Sequence, residues 1–270
     1  MLMAHLPREI EDRGGGSTAS SPRRILLTGA AGRIGTAFRL THGHDYRFRL
    51  ADLETDLLTN TPGKAHEVIR LDVADPAACR AACAGIAAVV HLAADPRPDA
   101  PWDSLLANNI QGVVNICEAA LVAGCQRLIY ASSAHAVGAY PPAQTLADDA
   151  PPRPGNLYGA SKVFGEGALS ALAARGLSGI AIRIGAYDAP WYYDDTDDNV
   201  AAAYLSPRDM NQLLVRAIET PAITYAVVAG ISNNRQKRFD LRHTRALLGY
   251  APQDDGFRAR EEHAARSDGC

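Results

Sequence analysis

Tyr158 and Lys162 stand four residues apart in Leu157-Tyr158-Gly159-Ala160-Ser161-Lys162. On a helix that spacing puts a phenol and an ammonium on one face. A phenol with an ordinary pKa of about 10 acts as a base near neutrality only where a cation favours its phenolate. Lys162 can be that cation. On its own the pair is as ordinary as any exposed Tyr and Lys. It gains meaning from Ser132-Ser133, one element earlier, which ends an apolar run. In an open parallel sheet, ligands collect at that end of a strand. A serine hydroxyl there can bond the reacting oxygen.

A second group of residues suits a dinucleotide. Thr28-Gly29-Ala30-Ala31-Gly32-Arg33-Ile34-Gly35 is a Gly-x-x-Gly-x-x-Gly loop between an apolar run and a helical pattern. Glycines let backbone N–H groups approach a pyrophosphate, and the helix N-terminus adds about half a positive charge. Arg33 and Ile34 lie within the same turn. Asp52 follows about 20 positions later, the spacing of an acid that takes the ribose hydroxyls. It repels a 2′-phosphate, which predicts NAD over NADP. Asp72, followed by Val73, is placed to read an adenine edge.

These residues must be held by alternating strands and helices. Strands are expected over 24–28, 46–52, 68–72, 87–92, 127–132 and 180–184, with helices over 33–41, 102–123 and 157–175. Asp75-Pro76 opens a further helix, as cap and first residue. The alternation predicts an α/β fold, a doubly wound parallel Rossmann-type sheet. Beyond Gly185 the rhythm loosens. An aromatic and acidic loop (187–198), a helix capped at Ser206-Pro207-Arg208-Asp209, a strand (223–231) and a helix ending at Leu248-Gly249 are expected to form a small C-terminal substrate lobe.

The expected organisation is a disordered leader over 1–22, a nucleotide-binding domain over 23–185, the lobe over 186–252 and a frayed tail over 253–270. The 270 residues carry a net charge of -3 and are 47% hydrophobic. That gives a large core and no basic excess, so nucleic acid is not an expected partner. No apolar stretch approaches the roughly 20 residues of a membrane span. The five cysteines (79, 83, 117, 125, 270) form no Cys-x-x-Cys pair. Cys79 and Cys83 read as packing and not as metal ligands. The pattern suits a reducing cytoplasm.

Taken together, these motifs resemble the extended short-chain dehydrogenase/reductases, the NAD-dependent epimerase/dehydratase group. To those above are added His91-Leu92-Ala93-Ala94 and Asn109-Ile110-x-Gly112. The resemblance implies a Ser133, Tyr158 and Lys162 triad. It places Ala93 and Ala94 along the cofactor cleft, with Asn109 steadying the helices and Lys162 also holding the nicotinamide ribose. Within the group the chain is most similar to uronate dehydrogenases, through Ala131-Ser132-Ser133-Ala134-His135-Ala136-Val137-Gly138, the Leu157–Glu166 stretch and Ile182-Arg183-Ile184-Gly185.

That likeness implies oxidation of the C1 hydroxyl of a small sugar or sugar acid, such as a hexuronate. Arg183 would grip the carboxylate, His135 would lie by the substrate, and two copies would pair as a homodimer through helices 102–123 and 157–175. Ala134 and the charged Asp95 and Arg97 depart from the group's pattern, which puts the substrate in question. Two other readings stand beside this one. A nucleotide-sugar epimerase or dehydratase would need a larger C-terminal part, and a non-catalytic NAD-binding sensor would not need Tyr158 and Lys162.

Overall fold

Ile25, Leu26 and Leu27 are wholly buried, as are Val89, Val90, Leu128 and Ile129. A run with no exposed face needs cover on both sides, which a parallel sheet between two helix layers supplies. Each such side chain contributes about 1.5–3 kcal/mol on burial. The computed structural model describes residues 23–63 and 66–267. The leader expected over 1–22 and Cys270 lie outside them.

In chain order the elements are β1 (Arg24–Thr28), α1 (Arg33–His42), β2 (Arg47–Asp52), β3 (Glu67–Arg70), α2 (Pro76–Cys83), β4 (Ala88–His91), α3 (Trp102–Val122) and β5 (Arg127–Ser133). Next come β6 (Leu146–Ala147), α4 (Leu157–Ala173), β7 (Ser178–Ile184), β8 (Ala186–Tyr187), α5 (Pro190–Asp194) and α6 (Asp198–Ala202). The rest are β9 (Tyr204–Leu205), α7 (Pro207–Glu219), β10 (Tyr225–Gly230), β11 (Phe239–Asp240), α8 (Arg242–Leu248) and α9 (Gly256–Ser267).

Seven parallel strands form the main sheet in the order β10-β7-β5-β4-β1-β2-β3. The order reverses between β1 and β4, and a crevice opens there at the carboxyl ends of the strands. Alternate residues of each strand serve opposite layers. Leu27 packs with Phe38 of α1 and Leu213 of α7, whereas Leu26 packs with Ile116 of α3 and Cys79 of α2. Local caps set the helix starts. Asp75 accepts the N–H groups of Ala77 and Ala78, Asn156 that of Gly159, and Ser206 that of Asp209.

The C-terminal part departs from the expected arrangement. β10 lies beside β7 over six residue pairs, so it extends the main sheet, and the segment 186–252 is not a separate lobe. Its apolar strand finds the exposed edge of β7, with α7 as the crossover. Of the strands that follow β7, only the short β8, β9 and β11 lie outside the main sheet. The aromatic and acidic loop contains the short helices α5 and α6. The expected frayed tail is largely helical as α9, which is docked by polar side chains. Arg260 stacks on Tyr192 at 4.6 Å, and His263 on Tyr193 at 4.5 Å.

α3 also differs from expectation. By length and hydropathy alone its 21 residues are sufficient to cross a membrane. Yet Val113, Ile116, Cys117, Ala119 and Ala120 are buried in the core of the fold, which accounts for the apolar composition. Its Leu105–Gln111 segment is wound as a π-helix.

Candidate active site

The glycine loop shapes one end of the crevice. Gly29 has a φ of +67°, and a Cβ there would meet the Ala93 nitrogen at 2.8 Å. Glycine is therefore needed for both its conformation and its close approach to the β4 end. Asp52 ends β2 beside the loop. One carboxylate oxygen accepts the Ala31 N–H at 2.8 Å and the other the Leu53 N–H at 2.8 Å. Two backbone donors thus aim the acid before any ligand arrives. Thr28 supports the opposite wall. Its hydroxyl lies 2.8 Å from His91 Nδ1 and accepts the Ala93 N–H at 3.3 Å.

The crevice encloses about 1230 Å³. Gly29, Gly32, Arg33, Ile34, Gly35, Asp52, Asp72, Val73, Ala93 and Ala94 line one part of it, and Ser133, Ala134, His135, Tyr158 and Lys162 another. The first group fits a dinucleotide: a glycine turn at a helix N-terminus, an acid held by backbone amides, and apolar flanks.

In the second part, Ser133 at the end of β5 and Tyr158 both line the crevice, and the Ser133 hydroxyl accepts the His135 N–H at 3.2 Å. Burial raises the Tyr158 pKa, the nearby Ser133 hydroxyl partly offsets this, and the Asp95 charge adds to the rise. The ammonium of Lys162 sits 5.6 Å from the Tyr158 ring centre and donates to the Ala131 carbonyl at 3.0 Å. Burial brings the Lys162 pKa down to about 8, so at neutral pH it remains mostly charged. The His135 ring meets Tyr158 edge-on at 5.4 Å. The Asn156 amide nitrogen lies 3.1 Å from His135 Nδ1. Burial lowers the His135 pKa, which favours the neutral ring.

Three expected site residues do not line the crevice. Arg183 is 1% exposed and turned away from the crevice. Its Nε and Nη2 donate to Glu166 at 2.9 and 2.8 Å, and its Nη1 donates to the Ala150 carbonyl at 2.5 Å. Strand alternation explains the correction, because Arg183 pairs with Ser132 whereas Ile184 pairs with Ser133. Asp95 is buried. It accepts from Arg97 at 3.0 and 2.7 Å and from Ser104 at 2.7 Å, so both carboxylate oxygens are engaged. Asn109 exchanges hydrogen bonds with the Asp95 backbone at 2.8 and 3.0 Å and reaches Ser161 at 3.1 Å. It joins α3 to α4 behind the site.

Other residues line the crevice that motif reading passed over. These are Asn108 in the π-wound segment, Tyr140, Tyr187, Trp191, Asn199 and Arg238. The aromatic density of 187–193 was their one visible signal.

The NAD dependent epimerase/dehydratase family model matches residues 25–215. The chain belongs to this family. It is 39% identical to an NAD-dependent glucose-6-phosphate dehydrogenase of Haloferax volcanii, over 86% of this chain and 93% of that protein. It is 38% identical to an L-arabinose 1-dehydrogenase (NAD(P)(+)) of the same organism, over 86% and 97%. Among solved structures, a uronate dehydrogenase variant from Agrobacterium tumefaciens complexed with NAD superposes with a TM-score of 0.78 at 31% identity, over 89% of this chain and 88% of that one. NAD is the cofactor of the family, and the glycine loop, Asp52 and the apolar flanks suit it.

Proposed function

We propose that this NAD-dependent oxidoreductase oxidises the C1 hydroxyl of a small, free sugar, with Tyr158, Ser133 and Lys162 as the proton-handling group. The observation that carries this reading is the convergence of Ser133, Tyr158 and Lys162 in the crevice that the glycine loop also lines. Ser133 and Tyr158 hold the sugar oxygen between two hydroxyls. The Tyr158 phenolate takes the hydroxyl proton, so the oxygen keeps its electron pair and becomes a carbonyl as C1 gives up hydride. NAD, when bound, accepts that hydride. Burial raises the phenol pKa, and the Lys162 charge acts in the opposite direction, favouring the phenolate.

Gly29, Gly32, Arg33, Ile34 and Gly35 would hold the pyrophosphate, Asp52 the adenosine ribose, and Asp72 with Val73 the adenine. His135 and Ala134 would border the sugar. The proposal includes a homodimer through α3 and α4, which expose Val114, Val122 and Phe164. It also includes a cytoplasmic setting, which suits the free thiols of Cys79, Cys83, Cys117 and Cys125. The test is NADH formation over a panel of aldoses, hexuronates and sugar phosphates, repeated with Tyr158→Phe. A panel without any NADH signal would remove the reading.

A further inference from the structure

The named relatives act on a sugar phosphate, a sugar acid and a neutral pentose, three charge classes served by one fold. Resting on the sugar-dehydrogenase reading above, we propose that this chain's substrate is an uncharged aldose and that the site selects against sugar acids and sugar phosphates.

Gripping a carboxylate or phosphate calls for a guanidinium fork with two N–H groups to spare. The forks near the sugar end are already engaged. Arg183 is held by Glu166 and Ala150, and Arg97 by Asp95. Arg238 lines the crevice, but its Nη1 donates to the carbonyls of Pro141, Pro142 and Gln144 at 2.6–2.9 Å. Its Nη2 faces those of Val137 and Tyr140 at 3.4 and 3.3 Å. It fastens the wall that follows Ser133. Arg33 stands at the glycine loop and donates to the Asp188 carbonyl at 3.1 Å. Of the arginines that line the crevice among the described residues, Arg238 has both Nη atoms engaged and Arg33 has one.

The facing wall adds repulsion. Between Tyr187 and Val200 the chain carries Asp188, Asp194, Asp195, Asp197 and Asp198 and no lysine or arginine. Asp188 is satisfied by the hydroxyls of Tyr193 at 2.5 Å and Tyr204 at 3.0 Å, not by a cation. Asp195 has Arg260 at 3.7 Å. Asp194, Asp197 and Asp198 are exposed. Tyr187, Trp191, Asn199 and Val200 of this segment line the crevice, and carboxylates within a Debye length of about 8–10 Å disfavour an incoming anion.

The same wall suits a polyhydroxyl. Asn199 lines the crevice with its amide nitrogen tied to Asp197 at 2.8 Å, which leaves its carbonyl to accept from a hydroxyl. Trp191 beside it is 48% exposed and offers an apolar face to sugar C–H groups.

The test measures kcat/KM for NAD reduction with L-arabinose, D-galactose and D-glucose against galacturonate, glucuronate and glucose 6-phosphate at constant ionic strength. The best neutral sugar is expected to exceed every anionic one by at least about tenfold. An anionic sugar turned over as well or better overturns the charge proposal and leaves the dehydrogenase reading intact. No NADH from any sugar overturns both. Asn199→Arg places a guanidinium in the acidic wall and is expected to raise the acid-to-neutral ratio of kcat/KM at least about tenfold. An unchanged ratio in a folded, NAD-binding variant shows that this wall does not select charge.

Discussion

Arg183 and Glu166 form a two-bond ion pair, at 2.9 and 2.8 Å, in which both side chains are almost wholly buried. Ser132 adds a third bond, donating to Glu166 at 2.6 Å. The pair locks β7 and β5 to α4, the helix that carries Tyr158 and Lys162. Breaking it from one side strands a buried charge. Arg183→Met should therefore cost about 3–5 kcal/mol in urea unfolding, and the double variant with Glu166→Gln should recover a large part of that. Equal losses in single and double variants would show that the pair is not coupled.

Tyr158→Phe keeps the ring and its packing against His135 but removes the acid–base group. A loss of about 10²–10⁴ in kcat is expected, with the NAD dissociation constant unchanged within about twofold when read by titration calorimetry. Lys162→Met should move the rising limb of the pH–rate profile to higher pH, because the phenolate loses its neighbouring cation. A limb that stays in place would separate Lys162 from the ionisation of Tyr158.

Asp52→Asn retains the shape of the acid and removes its charge. NAD should bind about tenfold more weakly, the worth of a charge-assisted hydrogen bond, and the preference over NADP should narrow. The ratio of kcat/KM for the two cofactors reads this directly.

His91 makes stability depend on acid. Burial, followed by the Lys162 charge, lowers its pKa to about 3, whereas an unfolded histidine titrates near 6.5. Between those values the unfolded chain binds a proton that the folded one does not. This contribution is present in full above about pH 6.5 and is lost as pH falls toward 3. His91→Asn should flatten the fall in urea midpoint across that window relative to the parent protein.

Removing α9 after Asp255 should raise the sugar KM several-fold and leave NAD affinity unchanged. The helix braces α5 and α6 through Arg260 and His263. An equal loss of both affinities, measured by titration and steady-state kinetics, would assign α9 to general stability.

The glycine loop, Asp52 and the Tyr158/Lys162 spacing were legible in the sequence because each is a local pattern. A turn, a strand end and one helix face suffice to place them. Arg183 was misplaced because its neighbours come from elsewhere in the chain. Only the register of β5 against β7 shows that it shares a face with Ser132 and not with Ser133. α9 escaped notice for another reason. Periodicity detects apolar stripes, and among its residues only Gly256 and Phe257 are buried, with docking done by a guanidinium and an imidazole. The placement of β10 against β7 was likewise a matter of topology.

That placement has a consequence for how such a protein can diversify. The segment bearing Tyr187, Trp191 and Asn199 leaves the sheet at the end of β7, and the chain rejoins it at β10, the neighbouring strand. Both anchors belong to the frame that the glycine loop and Tyr158 already require. The part of the excursion ahead of α7 is thus a replaceable cassette. Its sequence can drift, or be exchanged for that of a relative, and change which substrate enters while the sheet and the glycine loop keep their geometry.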